Sequence, residues 1–167
     1  MITDTLVEET WRECAGLAPA EARVKMARLG RLQPALLAYV LAASQDLTPP
    51  AAELTVYIFF VIARMFYRCG AKVRRVSPAA ISSFESRIEA QVTALQGSHG
   101  AFVERAAVVL SSRQPHVYRY LVETLVESPK DSIDPVTLTP EDQGCIFLIL
   151  ATAITALDEK GLSERKT

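Results

Sequence analysis

The chain has 167 residues and a formal net charge of −1; half of its residues are hydrophobic and 22% are charged. This length supports one domain with a substantial core, and the hydrophobic share excludes a disordered chain. The near-neutral total gives no global attraction to nucleic acid or to an anionic membrane, but the charge is uneven: residues 1–119 hold 14 Lys and Arg against 10 Asp and Glu, and residues 120–167 hold 4 against 9.

Strand signals are nearly absent, because no run alternates apolar and polar residues and no Asn-Gly or Asp-Gly turn occurs. Helix starts are marked instead by a small polar residue followed by Pro or an acid. Thr3-Asp4 predicts a helix to about Cys14, and Pro19 a second to about Leu32. Gln33-Pro34 starts or kinks a third, and Thr48-Pro49 opens a long greasy helix that Gly70 closes. Ser77-Pro78 opens a helix over 78–96, followed after Gly100 by "AFVERAAVVLSS". Gln114-Pro115 opens "PHVYRYLVETLVE", residues 128–137 form a polar loop, and Thr139-Pro140 opens the last long helix, which Gly161 closes. Residues 162–167 read as a flexible tail. The expectation is an all-α single domain, 1–167, of seven or eight helices.

The apolar run from Leu54 is interrupted by Arg64, and that from Gly144 by Asp158. Both fall short of the roughly 20 residues a membrane span needs, so buried core helices are expected and no membrane partner. The N-terminal "MITDTLVEETW" is too acidic and polar for a signal peptide. Cys14, Cys69 and Cys145 are odd in number and far apart, which argues against disulfides and zinc and for a cytoplasmic protein.

Two segments repeat. Residues 47–70 set over 138–161 share Leu-Thr-Pro at the start, Ile58 with Ile149, and a final Gly. Upstream, Gln33-Pro34 matches Gln114-Pro115, and Tyr39 matches Tyr120. The order implies a duplicated helical hairpin, 33–70 and 114–161, with the helix at 78–96 connecting the halves. The two long helices would be central and related by a pseudo-two-fold axis, with the Gln-Pro helices outside them. Each long helix keeps one polar stripe: Glu53, Tyr57, Arg64 and Arg68 on the first, and Glu141, Thr152, Thr155 and Glu159 on the second. Arg64 aligns with Thr155 and Arg68 with Glu159.

No phosphate-binding glycine loop, HExxH or GxSxG is present. His99, between glycines, and His116, after Gln-Pro, have no partners at metal-ligand spacing. Glu123 and Glu127 read as a solvated helix face. The aromatics Trp11, Phe59, Phe60, Phe66, Tyr67 and Phe147 read as core, and no cofactor is implied. The most pointed feature is "RMFYRCGAKVRR", with Arg64, Arg68, Lys72, Arg74 and Arg75 and no acid from Leu54 through Phe84. Arg64 and Arg68 offset the negative end of their helix. Lys72, Arg74 and Arg75 lie beyond it, where they would bind a partner, pair with the acidic 123–142 segment, or stay solvated.

The sequence therefore predicts a non-enzymatic helical protein that binds another protein, through the basic 72–75 loop and the acidic 128–137 loop, and that could form a homodimer. Nucleic-acid or anion binding through Arg64–Arg75 is the alternative. A small-ligand pocket between the two long helices, with Arg64 meeting an anion, is a third.

Overall fold

The computed structural model describes residues 1–70, 72–95, 102–127 and 136–161, and among them the fold is all-α with no strand. Eight α-helices follow in order: α1 (Asp4–Ala15), α2 (Pro19–Leu32), α3 (Pro34–Ala43), α4 (Pro49–Arg68), α5 (Pro78–Thr93), α6 (Phe102–Leu110), α7 (Pro115–Val126) and α8 (Pro140–Ala156). The last continues into a wider π turn, Leu157–Gly161. His99, Gly97, the 162–167 tail and residues 128–135 of the polar loop lie outside the described residues.

Local chemistry sets the helix starts. Six of the eight helices begin on a proline, whose fixed φ suits the first turn and whose missing N–H is not needed there. Thr3 and Ser77 are extended N-caps whose hydroxyls accept from the Leu6 and Ala80 N–H groups. Thr139 and Asp142 form a reciprocal capping box on α8. Gly70, at φ +76°, lets the chain turn out of α4 in the left-handed region.

The long helices α4 and α8 pack on each other at the centre. Ile58 through Ala63, Met65 and Phe66 on α4 are buried, as are Ile146, Phe147, Ile149 through Ile154 and Leu157 on the second long helix. By length and hydropathy α4 could cross a membrane, so the expectation that its apolar run is too short is corrected; more than half of it is buried by its neighbours in the fold. Against α4 lie α1, α2 and α3; against α8 lie α3, α5, α6 and α7. The helix expected to act as a connector, α5, has α8 as its main neighbour, as α1 has α4.

Two breaks in the helical array share one conformation. Gln33 ends α2 at φ −132°, ψ 63°, and Gln114 precedes α7 at φ −134°, ψ 60°, since a following proline excludes the α region. Both side chains are buried and both hold distant backbone. Gln33 accepts the Val76 N–H (3.0 Å) and donates to the Arg74 carbonyl (2.8 Å) and the Tyr67 hydroxyl (3.0 Å). Gln114 accepts the Ile2 N–H (2.9 Å) and donates to Asp158 Oδ1 (2.7 Å). Val76 and Ile2 each stand just before a capped helix start, and Tyr67 and Asp158 are matched positions of the two long segments. Further pairs follow along α1 and α5: Val7 with Ile81, Thr10 with Phe84 and Cys14 with Ile88 are all buried.

Removing either amide strands a buried N–H and its acceptors. Gln33→Ala and Gln114→Ala are each expected to lower the unfolding free energy by about 1–3 kcal/mol, measured by urea denaturation. Loss of less than half a kcal/mol in both would show that the amides are dispensable.

Candidate functional site, a basic groove between α2 and α4

On α2, Lys25, Arg28, Leu29 and Leu32 fall on one face by helical spacing; on α4, Phe60, Arg64, Tyr67 and Arg68 do the same. The two faces enclose a groove of about 280 Å³. Leu29 and Phe60, 5% and 3% exposed, form its floor, and Leu32 lies partly exposed at the rim. Tyr67 is fixed at one end by its hydrogen bond from Gln33.

The cations divide into two kinds. Arg64 and Arg68 are engaged by α1. Glu13 bridges them, with Oε1 2.5 Å from Arg64 Nη2 and Oε2 2.8 Å from Arg68 Nη1. Arg68 also reaches Thr10 Oγ1 (3.2 Å) and lies 3.8 Å from Glu9. The Arg64 guanidinium sits 5.9 Å above the Phe60 ring, and its buried Nε–H has no acceptor among the described residues. Cys14 lies beside it; burial pushes that thiol up, and the Arg64 charge pulls it part of the way back. Lys25 and Arg28 are the second kind: among the described residues neither has a carboxylate partner. The groove is therefore positive on the α2 side and compensated on the α1 side.

The basic segment anticipated from the sequence is split by this arrangement. Arg64 and Arg68 line the groove, whereas Lys72, Arg74 and Arg75 are exposed outside it. The Arg74 backbone is structural: its N–H donates to the Gly161 carbonyl (2.6 Å) and its carbonyl accepts from Gln33. A Cβ on Gly161 would lie 3.2 Å from a Val73 methyl, so a larger residue there would require Val73 to shift by a few tenths of an ångström. Arg75 donates to the Arg31 carbonyl (2.9 Å) at the C-terminal end of α2, where a cation offsets the helix dipole. Among the described residues no ion pair joins Lys72, Arg74 or Arg75 to the acidic 123–142 segment, of which 128–135 lie outside those residues; Arg64 and Arg68 pair with α1, and Glu123 lies 3.8 Å from Arg119. Phe60, read as core from the sequence, is buried in the core, and Tyr67 packs against it; both also line the groove.

A second cleft, of about 240 Å³, lies at α8 between α5 and α6. Its Val109, Leu110 and Arg113 occupy the positions of Arg28, Leu29 and Leu32 relative to the Gln-Pro breaks, and its Thr155, Asp158 and Glu159 those of Arg64, Tyr67 and Arg68. Here ion pairs close on themselves. Arg87 grips Glu159 through two contacts (2.5 and 3.2 Å), and Arg113 Nε lies 2.6 Å from the buried Asp158. Neither cleft is lined by both α4 and α8, so neither is the pocket anticipated between the central helices.

Lys25, Arg28 and Glu13 were not singled out by the sequence. The cations stand in "EARVKMARLGR", an exposed amphipathic pattern like many others, and only the fold brings it against Arg64. Among the described residues no cluster of three metal-binding side chains occurs. No protein-family model matches the chain, and no curated protein and no solved structure matches it.

The Tyr118 hydroxyl, buried in the second cleft without a partner in good geometry, is pushed by that burial up to about 12; burial also raises Tyr39 and Tyr120. A raised tyrosine keeps its proton in the folded state, so its stability contribution is complete below the unfolded value of about 10 and is lost as pH rises toward 12. The melting temperature is expected to fall between about pH 10 and 12, and less steeply in Tyr118→Phe. Parallel curves for the two proteins would contradict the assignment.

Proposed function

We propose that this chain is a non-enzymatic protein-interaction module that receives an acidic, partly apolar segment of another protein in the α2/α4 groove. The observation that carries the proposal is the convergence of two uncompensated cations, Lys25 and Arg28, with Arg64 and Arg68 over an apolar floor of Leu29 and Phe60. Cations around an apolar strip complement a segment that alternates carboxylates with a large apolar side chain. Nucleic acid fits less well. A phosphate backbone needs an extended track of cations, and Lys72, Arg74 and Arg75 do not continue the groove. A cytoplasmic setting belongs to the same proposal, supported by three unpaired cysteines. The duplication is likewise proposed, on the strength of the two glutamine breaks and the matched buried positions of α1 and α5.

A fluorescein-labelled octapeptide of glutamates with one central phenylalanine is the test ligand, read by anisotropy at low salt. Lys25→Glu/Arg28→Glu is expected to weaken binding at least tenfold, ~1.4 kcal/mol, and added salt to weaken it in the unaltered chain. No binding, or equal binding by the variant, would overturn the proposal. Tighter binding of a single-stranded oligonucleotide than of the peptide would replace it with the nucleic-acid alternative.

A further inference from the structure

Two of the arginines that line the groove already hold a carboxylate, and it comes from the chain itself. Glu13 reaches in from α1 and presents one oxygen to Arg64 and the other to Arg68, at 2.5 and 2.8 Å. This bridging geometry is what an incoming aspartate, glutamate or phosphate would have to reproduce on the same two guanidinium groups.

The stability of α1 does not account for the position of Glu13. It stands in the last turn of a helix that ends at Ala15, where backbone carbonyls point outward and the dipole disfavours a negative charge. Its attraction to the two arginines holds it there. The grip is not a deeply buried one: Glu13 is 37% exposed and Arg68 31%, so the pair is screened by water and exchangeable. Arg64 is better enclosed, at 21% exposed, and its Nε–H remains without an acceptor even with Glu13 in place. The arginine pair is thus occupied, incompletely satisfied, and open to the groove. On the opposite wall Lys25 and Arg28 stand free of carboxylates. An acidic segment attracted by those two cations would meet Glu13 as its competitor for the other two.

We infer that Glu13 is the intramolecular occupant of the groove's arginine pair, a built-in carboxylate that an acidic partner must displace from Arg64 and Arg68. The inference rests on the proposed function of the groove. It assigns the sites unequal roles: Lys25 and Arg28 govern first attraction, and the arginine pair governs affinity through exchange of one carboxylate for another. Glu13 thereby sets a threshold, since a lone carboxylate on a partner gains little by replacing it, whereas a segment that also fills the apolar floor or carries a doubly charged phosphate gains more.

The test compares Glu13→Gln with Glu8→Gln in the same peptide titration. Both remove one negative charge from α1, but Glu8 pairs with Arg12 and does not touch the groove arginines. Glu13→Gln is expected to bind the acidic peptide about three- to tenfold more tightly than the unaltered chain, and Glu8→Gln to bind it nearly as the unaltered chain does. The peptide should also raise the melting temperature of Glu13→Gln more than that of the unaltered chain, because the ligand then supplies the missing carboxylate. If the unaltered chain binds and Glu13→Gln binds equally or less tightly, the inference fails while the proposed function stands. If both variants tighten binding equally, long-range charge explains the effect and the inference also fails. If neither the unaltered chain nor Glu13→Gln binds, both fail together.

Discussion

Two buried primary amides hold this fold's periphery to its centre. A primary amide taken out of water leaves up to four hydrogen-bonding positions to be filled, and an unfilled one is costly. Gln33 bonds Val76, Arg74 and Tyr67, and Gln114 bonds Ile2 and Asp158, all far away in sequence. Each amide thus ties a helix break to the segment that launches a different helix, α5 or α1. Those are the helices that lie along α8 and α4. The apolar burial of α4 and α8 supplies most of the cohesion, but it is non-directional. The amides are directional, and they fix where α1 and α5 begin along the hydrophobic pair.

That placement has an electrostatic consequence. Once Gln114 fixes the start of α1, helical spacing carries Glu9 and Glu13 beside Arg68, and Glu13 beside Arg64 as well. Once Gln33 fixes the start of α5, the same spacing carries Arg87 to Glu159. Glu13 and Arg87 stand at matched distances from their caps, and Arg68 and Glu159 at matched positions of the long helices, so one ion pair appears twice with its charges exchanged. The exchange is what distinguishes the two clefts. Around Asp158 and Glu159, each acid finds an arginine, and the cleft is balanced. Around Arg64 and Arg68, two further cations arrive from α2 without acids of their own.

Much of this architecture was legible in the sequence, for local reasons. Proline at 19, 34, 49, 78, 115 and 140 acts on its own turn and on the residue before it, so each was readable as a helix start without knowledge of the fold. Helix ends were less legible: α5 stops at Thr93 and α6 at Leu110, short of the residues anticipated, because neither is closed by a residue whose chemistry compels a stop. The two glutamines were visible as landmarks but not as clamps, since their partners lie 34 to 112 residues away. The groove was half legible. An acid-free stretch drew attention to Arg64 and Arg68, but Glu13 lies 51 residues from Arg64 in sequence, and Lys25 and Arg28 reach the groove only through the pairing of α2 with α4. Charge density along a chain locates cations; it does not say which are already satisfied.

The difference between the two clefts extends to how firmly their walls are held. In α6, Val103, Ala106 and Ala107 are buried, and the second cleft is further closed by two ion pairs. The longer α2 buries only Leu29. Its C-terminal end is secured, by the break at Gln33, by Arg75 on the Arg31 carbonyl and by Leu29 itself. Its N-terminal half, from Pro19 to Val24, is mostly exposed. A helix fixed at one end and lightly buried along the rest opens locally at lower cost than one buried throughout. Lys25 and Arg28 lie between the free half and the fixed end, so a small swing of α2 would change their separation from Arg64 and Arg68 while leaving the core of α4 and α8 undisturbed. The uncompensated charges are therefore carried by the less buried wall, and the compensated ones by the wall whose position the core fixes.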